Sequence, residues 1–144
     1  MTKPLISPLP CMCASLRRTS RALSQLYEDA LRPVGLRATQ FTVLQTLSLA
    51  GEVTQGELGQ ILAMDSTTLT RTLTIMGRHG WITKHRGEDR REWRMRLSKA
   101  GEIKLKQALP HWEKAQTRLR RQLGEELSNN LMKLTQKVTN ALTD

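Results

Sequence analysis

A chain of 144 residues, 38% of them hydrophobic, suits one domain with a modest core, or a subunit that shares its core with a partner. Its formal charge of +10 asks for an anionic partner, while an aromatic content of 3% argues against single-stranded nucleic acid, whose binders need platforms for stacking bases. No apolar run approaches the ~20 residues of a membrane span and the N-terminus lacks a signal peptide's apolar stretch, so a cytoplasmic protein with no membrane partner is expected.

Residues 1 to 10 carry Pro4, Pro8 and Pro10 and read as an extended arm. Cys11 and Cys13 follow, too few and too local for a disulfide framework, so reduced thiols are the default. Leu16, Leu23, Leu26, Tyr27 and Leu31 then mark a helix that stops before Pro33 and Gly35. A second helix is expected from Leu36 to Leu49, with Phe41, Leu44 and Leu47 inward and Gly51 closing it.

Thr54 followed three residues later by Glu57 is a capping-box signature: hydroxyl and carboxylate satisfy orphan backbone donors at a helix start. Leu58, Ile61 and Leu62 fall on one face of that helix. Asp65 is a good N-cap for the next one, whose apolar face is Leu69, Leu73 and Met76. Its other face carries Ser66, Thr67, Thr70, Arg71 and Thr74, short hydrogen-bonding groups and one arginine, with nothing bulky to hold it out of a major groove.

Gly80 ends this helix, and Trp81 to Arg86 and Glu92 to Leu97 read as two strands around the turn Gly87-Glu88-Asp89-Arg90-Arg91. Alternation puts Trp93, Met95 and Leu97 toward the helices and Arg94 and Arg96 on the other face. Residues 65–99 hold nine Lys/Arg against four Asp/Glu, a balance of +5 concentrated on the proposed reader and wing. Taken alone, such a hairpin is equally a solvated sheet edge kept from aggregating by its charges. The helix pair before it favours a winged helix-turn-helix.

Ser98 caps a long helix carrying Ile103, Leu105, Trp112, Leu119 and Leu123, expected to break or kink at Pro110, where a backbone donor is missing. Gly124 stops it. The last helix spaces Leu127, Leu131, Leu134, Val138 and Ala141 at alternating steps of four and three, a heptad seam that would stay wet on a lone terminal helix. Packing within one chain is the plainer alternative; a two-fold dimer with interleaved helices is the favoured reading. The expected fold is therefore mainly α with a small β-hairpin wing. Residues 1–35 form an arm and dimerisation helix, 36–100 the winged DNA-binding domain, and 101–144 the C-terminal dimerisation helices.

The chain resembles the MarR family of bacterial transcription regulators over almost its whole length. The resemblance rests on Gly35-Leu36-Arg37-Ala38-Thr39-Gln40-Phe41, Thr54-Gln55-Gly56-Glu57-Leu58, Met64 through Arg71, Gly80-Trp81-Ile82 leading to Asp89-Arg90-Arg91, and Leu97-Ser98-Lys99-Ala100-Gly101. It implies a homodimer whose two winged readers occupy successive major grooves of a pseudo-palindromic double-stranded operator, with Ser66 to His79 reading bases. It further implies that the Asp89 carboxylate holds Arg91 so that its guanidinium enters the minor groove; a plain turn salt bridge is the bland alternative. The DNA-contact set expected is Thr54, Gln55, Ser66, Thr67, Thr70, Arg71, Thr74, Lys84, Arg86, Asp89, Arg90 and Arg91. Arg90 suits phosphate, and Lys84, Arg86, Arg94 and Arg96 suit phosphate or solvent.

For the signal, the resemblance implies repression relieved by a small aromatic or anionic effector in the crevice between reader and dimer domain, or by cysteine oxidation, as in a stress response. Cys11 and Cys13 precede a helix N-terminus with Arg17 and Arg18 nearby, which favours a thiolate; the bland reading makes them small buried hydrophobes. Met12, Leu16, Tyr27 and Trp112 are the pocket candidates, and core packing would explain each as simply. No cofactor is expected. His79, His85 and His111 stand far apart, so no metal site is expected either. No nucleophile-base pair or phosphate-cradling loop suggests an enzyme. A basic adaptor that binds acidic partners without reading DNA sequence is the remaining alternative.

Overall fold

The computed structural model describes residues 9–143, which leaves most of the predicted N-terminal arm outside the described residues. The element order is α1 (Met12–Leu31), a 3-10 turn (Arg32–Val34), α2 (Ala38–Ala50), β1 (Val53–Thr54), α3 (Gln55–Leu62), α4 (Ser66–Arg78), β2 (Ile82–Arg86), β3 (Trp93–Leu97), α5 (Lys99–Leu123) and α6 (Glu125–Thr143). Helix dominates, as the periodicity requires. The sheet is antiparallel in the order β1-β3-β2, with Val53 opposite Met95 and Ile82 opposite Leu97. Two residues are too few for alternation to register, so β1 is invisible to sequence patterning.

The caps form as their chemistry demands. Thr54 Oγ1 accepts the Glu57 N–H at 3.1 Å while the Glu57 carboxylate accepts the Thr54 N–H at 2.8 Å. Asp65 accepts the Thr68 N–H at 2.9 Å and the Thr68 hydroxyl at 2.7 Å. Glu28 on α1 reaches across to the Ala38 N–H at 3.0 Å, placing a carboxylate at the start of α2 and tying the two helices together. Gly35, Gly80 and Gly124 all have positive φ where a helical stretch ends, Gly35 in the left-handed helical conformation.

One core joins α2, α4, the sheet and α5. Leu44, Leu58, Leu69, Leu73, Met76 and Met95 are fully buried at its centre. Gly101 shows how tightly α5 meets the sheet: a Cβ there would overlap the Trp81 carbonyl oxygen, which also accepts the N–H of Ser98, the helix N-cap, at 3.0 Å. This gives a packing reason for glycine in a helical turn that would otherwise favour alanine.

Three expectations need correction. Ile61 is 55% exposed, because so short a helix can turn only one narrow face inward, and Leu58 and Leu62 occupy it. Trp93 does not pack on the helices; it lies 44% exposed near the hairpin tip, beyond their reach, with the Arg86 guanidinium 4.6 Å above its ring. Helix α5 does not break at Pro110 but runs through it, with Pro110 exposed on its surface.

Candidate nucleic-acid interface

On α4 the side chains of Leu69, Leu73 and Met76 turn into the core, so Ser66, Thr67, Thr70, Arg71 and Thr74 are all exposed on the opposite face. Gln55 at the first turn of α3 donates from Nε2 to Thr70 Oγ1 at 2.8 Å. Two residues distant in sequence thus meet, and the bond aims the Gln55 amide along the reader face. Thr54 is half-buried, its hydroxyl used by the cap. The joint between α3 and α4 has Ala63 in the left-handed region at φ 51°, the only non-glycine with positive φ among the described residues. Ala63 and Met64 donate back to the Gln60 and Gly59 carbonyls, which keeps the turn tight enough for α4 to present its outer face.

The wing extends Lys84, Arg86, Arg90, Arg91 and Arg96 into solvent beside this face. At its tip the geometry departs from the expected arrangement. The Asp89 carboxylate accepts the backbone N–H of Arg91 at 3.0 Å, and no ion pair joins it to the Arg91 guanidinium among the described residues. An aspartate two residues before an amide makes this turn bond in preference to gripping a long side chain, because the shorter closure costs less entropy. Asp89 therefore shapes the loop on which Arg91 stands. Arg86 also departs from a free phosphate contact, donating to the Arg90 carbonyl as well as covering Trp93. Arg94, read as phosphate-facing or solvated, instead pairs with Glu52, a residue that patterning missed because its partners lie far along the chain.

A second feature lies between α1, α2, α5 and α6. A cavity of about 500 Å³ is lined by Leu16, Leu23, Tyr27, Phe41, Trp112, Met132 and several threonines and serines. Phe41 and Trp112 stack there at 5.7 Å between ring centroids. Tyr27 donates its hydroxyl to the Gln116 side-chain oxygen, and burial pushes its phenol pKa up. Three of the four pocket candidates meet at this cavity. Met12 does not: it is 84% exposed at the first turn of α1. Cys11 and Cys13 are likewise exposed, which corrects the reading of them as buried hydrophobes; Cys11 is the N-cap of α1.

A two-helix reader with a basic hairpin beside it defines a winged helix-turn-helix, and comparison with known proteins identifies which kind. The MarR family model matches residues 36–93. The HTH-type regulator YwoH of Bacillus subtilis, itself uncharacterized, is 32% identical over 92 residues, covering 64% of this chain and 67% of that one. Among solved structures, the Mycobacterium tuberculosis transcriptional regulator MosR in complex with DNA superposes with a TM-score of 0.79 at 34% identity, covering 91% of this chain and 98% of MosR. A MarR variant from E. coli complexed with operator DNA reaches 0.81 at 23% identity, over 94% and 99% of the two chains, a likeness of fold. The chain belongs to the MarR family, whose members are non-enzymatic, DNA-binding transcription regulators. Among the described residues no helix is long and apolar enough to cross a membrane.

Proposed function

We propose that this protein is a homodimeric repressor that recognises a pseudo-palindromic duplex operator and releases it on binding an effector or on thiol oxidation. The observation that carries the DNA assignment is the α4 outer face: Ser66, Thr67, Thr70, Arg71 and Thr74 exposed together, with Gln55 braced on Thr70. These side chains are short donors and acceptors of the kind that read base edges, and Arg71 suits a guanine. Arg91 enters the minor groove and Lys84 and Arg90 meet phosphate, while Arg86 stays over Trp93, giving a wing contribution that weakens with salt. The DNA complex of MosR supports this reading, as does the operator complex of the E. coli protein. Dimerisation through the outer helices is supported by the apolar residues they expose, Leu16 on α1 and Leu127, Leu134 and Val138 on α6.

The cavity at Tyr27, Phe41 and Trp112 is the effector site in this proposal. Among the described residues its lining holds aromatic, aliphatic, hydroxyl and amide groups but no lysine or arginine, so an uncharged aromatic molecule fits it better than an anion. Release requires that the effector bind the DNA-incompetent arrangement more tightly than the competent one. The exposed Cys11 and Cys13, at the N-terminal end of the helix that lines the cavity, offer oxidation a route to the same element.

Fluorescence anisotropy tests this. The protein is titrated onto the duplex upstream of its own gene and onto a scrambled control, reduced and after mild peroxide. Operator binding should exceed control binding, and Arg71→Ala and Arg91→Ala should each weaken it roughly tenfold or more. Equal affinity for both duplexes would overturn the assignment. Loss on oxidation that thiol restores, and that a Cys11→Ser/Cys13→Ser variant lacks, would establish the redox route; indifference to peroxide would leave the effector route alone.

A further inference from the structure

Glu52 lies outside the reader face and the wing tip. It follows Gly51, whose φ of 78° turns the chain out of α2, and leads directly into β1. Its Oε1 is 2.6 Å from His85 Nε2 on β2, and its Oε2 accepts Arg94 Nε on β3 at 3.2 Å. Arg94 Nη2 also reaches the Glu52 backbone carbonyl at 3.4 Å. His85 and Arg94 are directly opposed in the β2–β3 register. A single carboxylate thus engages side chains from both wing strands.

The surroundings extend this link in two directions. Toward the wing tip, a Cβ on Gly87 would stand 3.0 Å from Arg94 Cδ and 3.3 Å from Cγ, so glycine leaves the arginine stem its channel back to Glu52. Toward the reader, Thr54 pairs with Arg94 in the β1–β3 register and caps α3, whose Gln55 bonds Thr70 on α4. A continuous series of contacts therefore joins the wing to the reader face, with Glu52 where the two wing strands meet β1. One exposed ion pair constrains little. A carboxylate shared between two strands, backed by a backbone bond, constrains their direction.

We propose that Glu52 is a positioning residue for DNA binding: it holds the wing at the angle to α4 that lets both meet one duplex. This rests on the DNA-binding reading above. The sign of its effect separates it from simple electrostatics. A carboxylate near phosphates repels them, so removing its charge should, on field grounds alone, tighten binding to every duplex. A positioning role predicts weaker binding to the operator only.

The test uses the full chain with Glu52→Gln, which keeps size and one acceptor but cannot hold both bases as an anion. Anisotropy on operator and scrambled duplex should show operator affinity reduced roughly five- to tenfold with scrambled affinity unchanged or higher. Hydrogen exchange of the β2–β3 amides should quicken while the denaturant midpoint stays in place. Glu52→Asp should restore part of the operator affinity, and His85→Ala, which removes one arm of the link, should give an intermediate loss. Equal tightening on both duplexes would reduce Glu52 to a repelling charge, and unchanged affinity and exchange would make it a solvated side chain; either overturns the proposal. If the wild-type protein fails to prefer its operator, the DNA reading fails instead, and the exchange data alone decide whether Glu52 holds the wing.

Discussion

Helix α4 and helix α6 are both amphipathic, yet among the described residues only α4 finds full cover for its apolar face. Leu69, Leu73 and Met76 of α4 are buried by α2, β2 and their neighbours, whereas Leu127, Leu134 and Val138 of α6 remain 53%, 60% and 44% exposed. Apolar surface left in water is unfavourable by roughly 25 cal/mol for each Å², so the contrast separates a self-sufficient reader from an unfinished outer layer. The reader's geometry is set by its own core. In the proposed homodimeric repressor, the spacing between the two readers would be set by whatever covers α1 and α6, and it could be switched there without disturbing the proposed base-reading face.

The strongest way to break this comparison is inside the reader. Leu73→Ala removes a fully buried side chain, and chemical denaturation should show a loss of about 2–5 kcal/mol. A loss below ~1 kcal/mol would mean that the reader core is not closed as described. On the outer layer the opposite signature is expected. Leu134→Glu should raise the dimer dissociation constant about tenfold or more in analytical ultracentrifugation, equivalent to ~1.4 kcal/mol, while the reader's amide protection is kept. An unchanged sedimentation profile would remove α6 from the proposed interface.

The smallest effect sharpens the comparison at the reader's own N-terminus. The Thr68 hydroxyl, and then its backbone N–H, hold the Asp65 carboxyl below its usual range. With the folded-state pKa below the unfolded one, the cap's contribution is present above the unfolded value and is lost as pH falls through the folded one. Stability measured from pH 6 downward should therefore fall in the range below ~4, and Asp65→Ala should show a shallower decline there. Equal slopes for the two proteins would mean that the cap does not form in solution.

Much of the interface was legible because its determinants are local. Thr54 with Glu57, Asp65 before Thr68, and the 3.6-residue spacing of Leu69, Leu73 and Met76 each act within a turn or two of helix. Their outward consequence, the exposed face from Ser66 to Thr74, follows from geometry alone. The failures share the opposite property. Ile61 and Trp93 obeyed their local periodicity but lie beyond the edge of the core, and Pro110 sits exposed on an unbroken α5. Asp89 has its partner two residues away, yet the choice between the Arg91 amide and its guanidinium depends on how the hairpin tip closes.

The amino-acid order by itself determined where helices start and stop, which stripe of each is apolar and where positive charge accumulates, since capping, periodicity and turn chemistry operate over a few residues. Only the tertiary structure decided that β1 completes the sheet, that Gln55 braces Thr70, that Glu52 gathers His85 and Arg94, and that Leu16, Tyr27, Phe41 and Trp112 surround one cavity. The paired contacts join residues 15 to 42 positions apart, and whether such pairs meet is set by packing of the whole chain rather than by the preferences of either segment.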